Sequence, residues 1–186
     1  MIKKRDLAVL AVASLISGCG GNTSETSTTE VAKTTVNAGS ALPSGWTKPD
    51  ACAVVDKATF AAVSGMPVGV SELRMVHTAD GTTAATSECV FTTADGGNYS
   101  LMLRWSPIND NTEGAINEMR SGLVSLTKAL GGTVEEVQKV GKAAFWVSKT
   151  SSLNVFIGED RLAIINMPGG DAAKEKAITL ARKLGA

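Results

Sequence analysis

His77 is the only histidine in the 186 residues, so any imidazole acting as a general base or metal ligand must be that one side chain. Asp80 lies three residues on in a segment read as a loop, where a solvated pair is the plainer reading. Five methionines beyond the first residue, Met66, Met75, Met102, Met119 and Met167, raise the question of a soft-metal site. They are dispersed, with no MxxM spacing, and read as core filling. Arg104-Trp105 and Phe145-Trp146 carry side-chain types that concentrate at binding surfaces. Strand alternation puts one of each pair inside and one outside, which leaves Arg104, Trp105 and Trp146 as interaction candidates. Pro168-Gly169-Gly170-Asp171 could offer backbone N–H groups to an anion. The Asp171 carboxylate would itself cap those donors and repel a phosphate. No carboxylate pair has a spacing that sets it apart from a solvated face. No catalytic residue, metal site or cofactor is assigned, and the chain reads as non-enzymatic.

The elements that would carry these residues begin behind an address. Lys3, Lys4 and Arg5 precede an apolar run over residues 7–16, LAVLAVASLI. Ten residues make about 15 Å of helix, half a hydrocarbon core, so this is the h-region of a secretory signal and a poor membrane span. An ordinary signal-peptidase site wants small residues at −1 and −3. A cut before Cys19 would put Ile16 at −3. Ile16-Ser17-Gly18-Cys19 resembles the bacterial lipobox instead, which implies cleavage before Cys19 and acylation of its sulfur. Several acyl chains exceed the two-signal threshold for stable anchoring. The expectation is a signal peptide over 1–18 and a lipid-anchored protein of the bacterial envelope. Gly20 after the cysteine resembles lipoproteins bound for the outer membrane, if the host has two membranes.

Residues 19–45 read as a lipidated cysteine and a tether rich in Ser, Thr, Gly and Asn. Such a segment cannot bury enough apolar surface to offset its ordering entropy, and as a flexible coil would reach on the order of 25–30 Å. Residues 46–186 are the usual size of one domain. The full chain has 18 basic and 18 acidic side chains. Loss of 1–18 removes three of the former and one of the latter, leaving a net charge near −2. That argues against a nucleic-acid surface. In an exported chain the two remaining cysteines, Cys52 and Cys89, are most simply a disulfide. A metal pair or a redox pair is the alternative, without support from a CxxC spacing or a second histidine.

The domain reads as α+β, an antiparallel sheet covered by helices on one face, in the rough order αβββ-αβββ(β)-α. Asp50 or Asp56 could cap a helix through CAVVDKATFAAVSG, with Val55, Phe60 and Val63 near one face and Gly65 ending it. A hairpin turns at residues 95–98, DGGN, and Tyr99, Leu101, Leu103 and Trp105 then alternate with Ser100, Met102 and Arg104. A longer helix over 112–130 places Ile116, Met119, Leu123, Leu126 and Leu130 on one apolar stripe. Strand-like runs follow at 133–137, 143–148, 153–157 and 161–167. Asp171 is the expected N-cap of a last helix to Leu184, with Ala177, Ile178, Ala181 and Leu184 inward. The recurring helix-then-hairpin order allows a pseudo-duplication.

Three stretches together resemble a family of small lipoproteins carrying a domain of unknown function, known widely from actinobacteria. They are Cys52-Ala53-Val54-Val55 through Gly65-Met66-Pro67-Val68, then Cys89-Val90-Phe91, and Val140-Gly141-Lys142-Ala143-Ala144-Phe145-Trp146 with GEDRLAII and the last helix. Val90 departs from the pattern, where the family commonly has Trp. The resemblance implies a lipidated, disulfide-containing α+β module and carries over no catalytic residue. The function expected is a non-catalytic binding or interaction module, anchored to the membrane through its lipid and meeting a protein or small ligand. A periplasmic immunity protein or enzyme inhibitor is the alternative, and an unrecognised enzyme comes last.

Overall fold

Asp50 and Asp56 both cap helices, and the chain makes two short helices where one was expected. In the computed structural model, which describes Trp46 and residues 50–186, α1 (Ala51–Val54) starts with the Asp50 carboxylate accepting from the Cys52 and Ala53 N–H groups. Val55 then turns to an extended conformation. The Asp56 carboxylate restarts the helix as α2 (Lys57–Ser64) by accepting from Thr59 N–H. That bond, from backbone N–H above all, holds the Asp56 carboxyl below its usual range. Gly65 closes α2 in the left-handed conformation, where Pro67 could not continue it. The signal peptide, Cys19 and tether lie outside the described residues. No helix among the described residues is long and apolar enough to cross a membrane.

The rest is an antiparallel sheet of seven strands with two further helices. In chain order these are β1 (Val68–His77), β2 (Ala85–Thr93), β3 (Asn98–Trp105), α3 (Glu113–Ala129), β4 (Val134–Glu136), β5 (Ala143–Val147), β6 (Ser152–Ile157), β7 (Arg161–Asn166) and α4 (Ala173–Lys183). The spatial order is β1-β2-β3-β7-β6-β5-β4. The sheet is therefore two meanders joined where β3 pairs with β7, with Leu101 opposite Ile165 and Leu103 opposite Ala163. The first strand, for which the sequence suggested no bounds, is β1. The expected runs at 133–137, 143–148, 153–157 and 161–167 match β4 to β7 within a residue or two at each end.

One face carries the main core. Cys89 and Phe91 of β2, Leu101 and Leu103 of β3, Leu153 and Val155 of β6 and Ala163 and Ile165 of β7 point the same way. They pack against Val54, Val55 and Phe60 below, and against Ala177, Ile178, Ala181 and Leu184 of the last helix. The inner face of α4 is the expected one. Phe60 stacks on Phe91 with ring centroids 4.1 Å apart. The expected helical cover is thus formed by α1, α2 and α4. Helix α3 additionally lies against the opposite face, where Ile116 packs with Phe145, Phe156 and Leu162. Because both faces are covered there, every residue of β6 is buried. The two meanders repeat the hairpin order, while the helices that precede them, α2 and α3, lie on opposite faces of the sheet.

Two local expectations change. Asp171 does not cap α4: the cap position is Ala172 without a side-chain bond, and Asp171 is exposed. The Pro168-Gly169-Gly170 turn carries the chain two residues further, with Ala173 N–H donating to Gly170 C=O, before regular helix begins. On α3 the apolar stripe is buried only at its N-terminal end. Leu126 and Leu130 are 63% and 53% exposed, while Thr127 is buried instead. The last turns of α3 roll onto Thr127, whose methyl lies beside Gly132 in the loop after the helix, where Lys149 from the β5–β6 turn also packs.

Candidate functional site

The disulfide is present between Cys52 and Cys89, with Cα atoms 5.0 Å apart. It ties the single turn α1 to the middle of β2, and beside it the Ala51 N–H donates to the buried Ser87 hydroxyl at 3.0 Å. A four-residue helix has almost no stability of its own. These two ties and the Asp50 cap fix it on the sheet.

Arg104, Trp105 and Trp146 do not form one surface. Trp146 belongs to the main core, and Phe145 beside it is buried in the cluster under α3. The alternation expected of this pair holds, but both faces of β5 are covered, so neither ring is presented to solvent. Arg104 makes a two-pronged pair with Asp110, one prong being Nη1 to Oδ1 at 3.0 Å. That hydrogen bond holds the Asp110 carboxyl below its usual range. Trp105 Nε1 donates to Asp160 Oδ2 at 3.0 Å.

These bonds belong to a clamp at one end of the sheet, whose centre is a residue the sequence did not single out. Asn111 is buried and its Nδ2 donates to the carbonyls of Gly158 (3.1 Å) and Arg161 (2.8 Å). Its own N–H donates to Glu159 C=O, and its carbonyl accepts from Lys142 Nζ at 2.8 Å. Lys142 also pairs with Glu159 at 2.6 Å. Arg161, paired with Asp160, lies over the buried Trp46 ring at 5.5 Å. The β6–β7 turn, the segment entering α3 and the start of β5 are thereby locked together. Replacing Asn111 by Ala removes both side-chain donors to the Gly158 and Arg161 carbonyls from a part-buried site. The expected loss is about 2–4 kcal/mol in urea unfolding, and a smaller loss for Asn111→Asp would show the donors to be dispensable.

His77 is exposed at the end of β1, and Asp80 in the following turn bridges to Thr83 through backbone bonds. The methionines fall on β1, β3, α3 and the segments after α2 and β7, with Met167 in the main core. Among the described residues no three His, Cys, Asp or Glu side chains are grouped to hold a metal. A small cleft between α3 and β4–β5 is lined by Glu113, Arg120, Glu136 and Lys142, of which Arg120 pairs with Glu136 and Lys142 with Glu159.

What stands out is β1. Among the described residues it has β2 on one side and no strand on the other, and it is exposed along nearly all of its ten residues. Val70, Met75 and Val76 are 59%, 63% and 62% exposed, and Leu73 is partly so. Glu72 and Arg74 lie on the same face, bonded at 2.6 Å. The strand is regular only from Val70 to Arg74. The register shifts at Gly69 and again between Arg74 and His77, where Met75 has a φ of +48°. The run VGVSELRMVH after Pro67 carries a β-propensity signal, blurred by its central charges. An edge strand with free N–H and C=O groups and exposed apolar side chains is equipped to receive a further strand. The chain matches no family model, and comparison with curated proteins and with solved structures returns no match.

Proposed function

We propose that this chain is a lipid-anchored lipoprotein of the bacterial cell envelope, in the outer membrane where the host has two membranes, whose folded domain is a non-catalytic interaction module. Three features support the anchor: the basic cluster, short apolar run and lipobox-like Ile16-Ser17-Gly18-Cys19 occur in the order that lipidation requires. The observation that carries the interaction reading is β1, whose exposed Val70, Met75 and Val76 sit on an open sheet edge. Soluble domains blunt such edges with short strands, charges and bulges, and here only the charges and bulges are in place.

Each half has its own test. Globomycin, or Cys19→Ser, is expected to leave an unprocessed precursor in the membrane; normal processing would overturn the lipid assignment. A photo-crosslinking amino acid at position 75 of the full chain in cells is expected to give a protein adduct. The same group at Lys128, at the exposed end of α3, serves as the control. Equal labelling at the two positions, or none at 75, would overturn the reading of β1 as the contact surface.

A further inference from the structure

We infer that the edge strand β1 pairs with β1 of a second copy of this chain, antiparallel about a two-fold axis at Leu73, so that two seven-stranded sheets become continuous. The inference rests on the reading of the domain as an interaction module and names the partner for that edge.

The argument is one of register. In an antiparallel pair, residues directly opposite share a face, so a two-fold axis at a given residue of β1 fixes every cross-strand pair. With the axis at Glu72, that carboxylate would face its own copy. At Arg74, two guanidinium groups would meet. At Leu73, Glu72 of each copy lies opposite Arg74 of the other, and the existing Glu72–Arg74 pair at 2.6 Å becomes part of a ring of four alternating charges. Opposite charges across a ladder stabilise and like charges destabilise. Beyond this regular ladder of Glu72 to Arg74, the exposed Val70, Met75 and Val76 of both copies lie along the same seam, so the approach covers apolar surface at both ends.

Association stops at two because the other edge does not invite it. Strand β4 is three residues long, ends in Glu135-Glu136, and has Glu135 already paired with Lys174. Pairing through β1 uses up the only long edge among the described strands, so the assembly closes as a symmetric pair. The shifts at Gly69 and after Arg74 keep the regular ladder short. Arg74 also lies opposite Glu88 on β2, so the second copy adds to an electrostatic pattern already present within each sheet.

The test uses full-length chains carrying two different affinity tags, co-expressed and purified in detergent. Wild-type copies are expected to co-purify. Glu72→Arg paired with itself, and Arg74→Glu paired with itself, place like charges opposite each other and are expected to co-purify about tenfold less. Glu72→Arg mixed with Arg74→Glu restores both opposite-charge pairs and is expected to recover. Shared micelles or general stickiness would give equal recovery in all four combinations and would overturn the proposal, as would a wild type that does not co-purify. A crosslink from position 75 to a different protein, with no self-adduct, overturns the second-copy partner while the interaction reading stands.

Discussion

Replacing both Cys52 and Cys89 with Ala is expected to lower the stability of the domain by about 4 kcal/mol. The bridge closes a loop between residues 37 apart, and in the chain-entropy model a loop of that length restricts the unfolded chain by about this amount. For a domain of this size each kcal/mol moves the melting temperature by roughly 3–4 °C, so a fall of about 12–16 °C should be seen. The closed loop contains most of α1, all of α2 and the edge strand β1. Hydrogen exchange in β1 and α1 should therefore rise more in the variant than exchange in β6, which is buried along its whole length. Cys89 is fully buried, so Ala at that position also leaves a small space. Reducing the wild-type bridge separates the two effects, and the loss on reduction alone should be most of the total. A double variant melting within about 3 °C of wild type, or free thiols in freshly exported protein, would contradict this account.

Much of the fold was legible because the local signals agreed with each other. Tyr99, Leu101, Leu103 and Trp105 alternate with polar neighbours, and the strand they form has its core face on that set. The helix expected over 112–130 forms as α3, with Thr112 as its cap and Gly131 leaving it at a φ of +71°. Legibility failed where a residue's surroundings come from distant chain. Leu126 and Leu130 continue a perfect apolar spacing, but the packing under the last turns is supplied by Gly132 and Lys149, which select Thr127. Phe145 and Trp146 alternate as a half-exposed strand would, and only the placement of α3 on the second face buries both. Asn111 gave no signal at all, since its partners are carbonyls 47 and 50 residues away. The candidate site was illegible for a related reason. The charges within β1 mask its strand character, and its edge position is set by the pairing of β3 with β7 far along the chain.

Gly141→Ala is expected to cost about 2–5 kcal/mol, although it adds one methyl group at a position outside the core. Gly141 has a φ of +58°, in the left-handed region, where a side chain costs roughly 1–2 kcal/mol. The added Cβ would also lie 2.2 Å from the carbonyl oxygen of Phe156 and 2.9 Å from a Val155 methyl. Relieving such overlap in packed structure typically costs a further 1–3 kcal/mol or so. Neither neighbour moves freely. The Phe156 carbonyl accepts from Lys142 N–H at 2.8 Å, and Phe156 is packed under α3. If the turn backs away from β6, Lys142 moves with it and its Nζ leaves Asn111 and Glu159. The damage should therefore reach the clamp at the end of the sheet, and Trp105, held there through Asp160, should report it as a change in fluorescence before the global transition. Gly122 is the control: it sits within α3 with nothing within 4 Å of a Cβ and with no positive φ. Gly122→Ala should stabilise by about 0.5–1 kcal/mol through helix propensity. Opposite signs in the two urea midpoints are the expected result. A Gly141→Ala protein as stable as wild type would show that the 140–142 turn can shift without loosening β6.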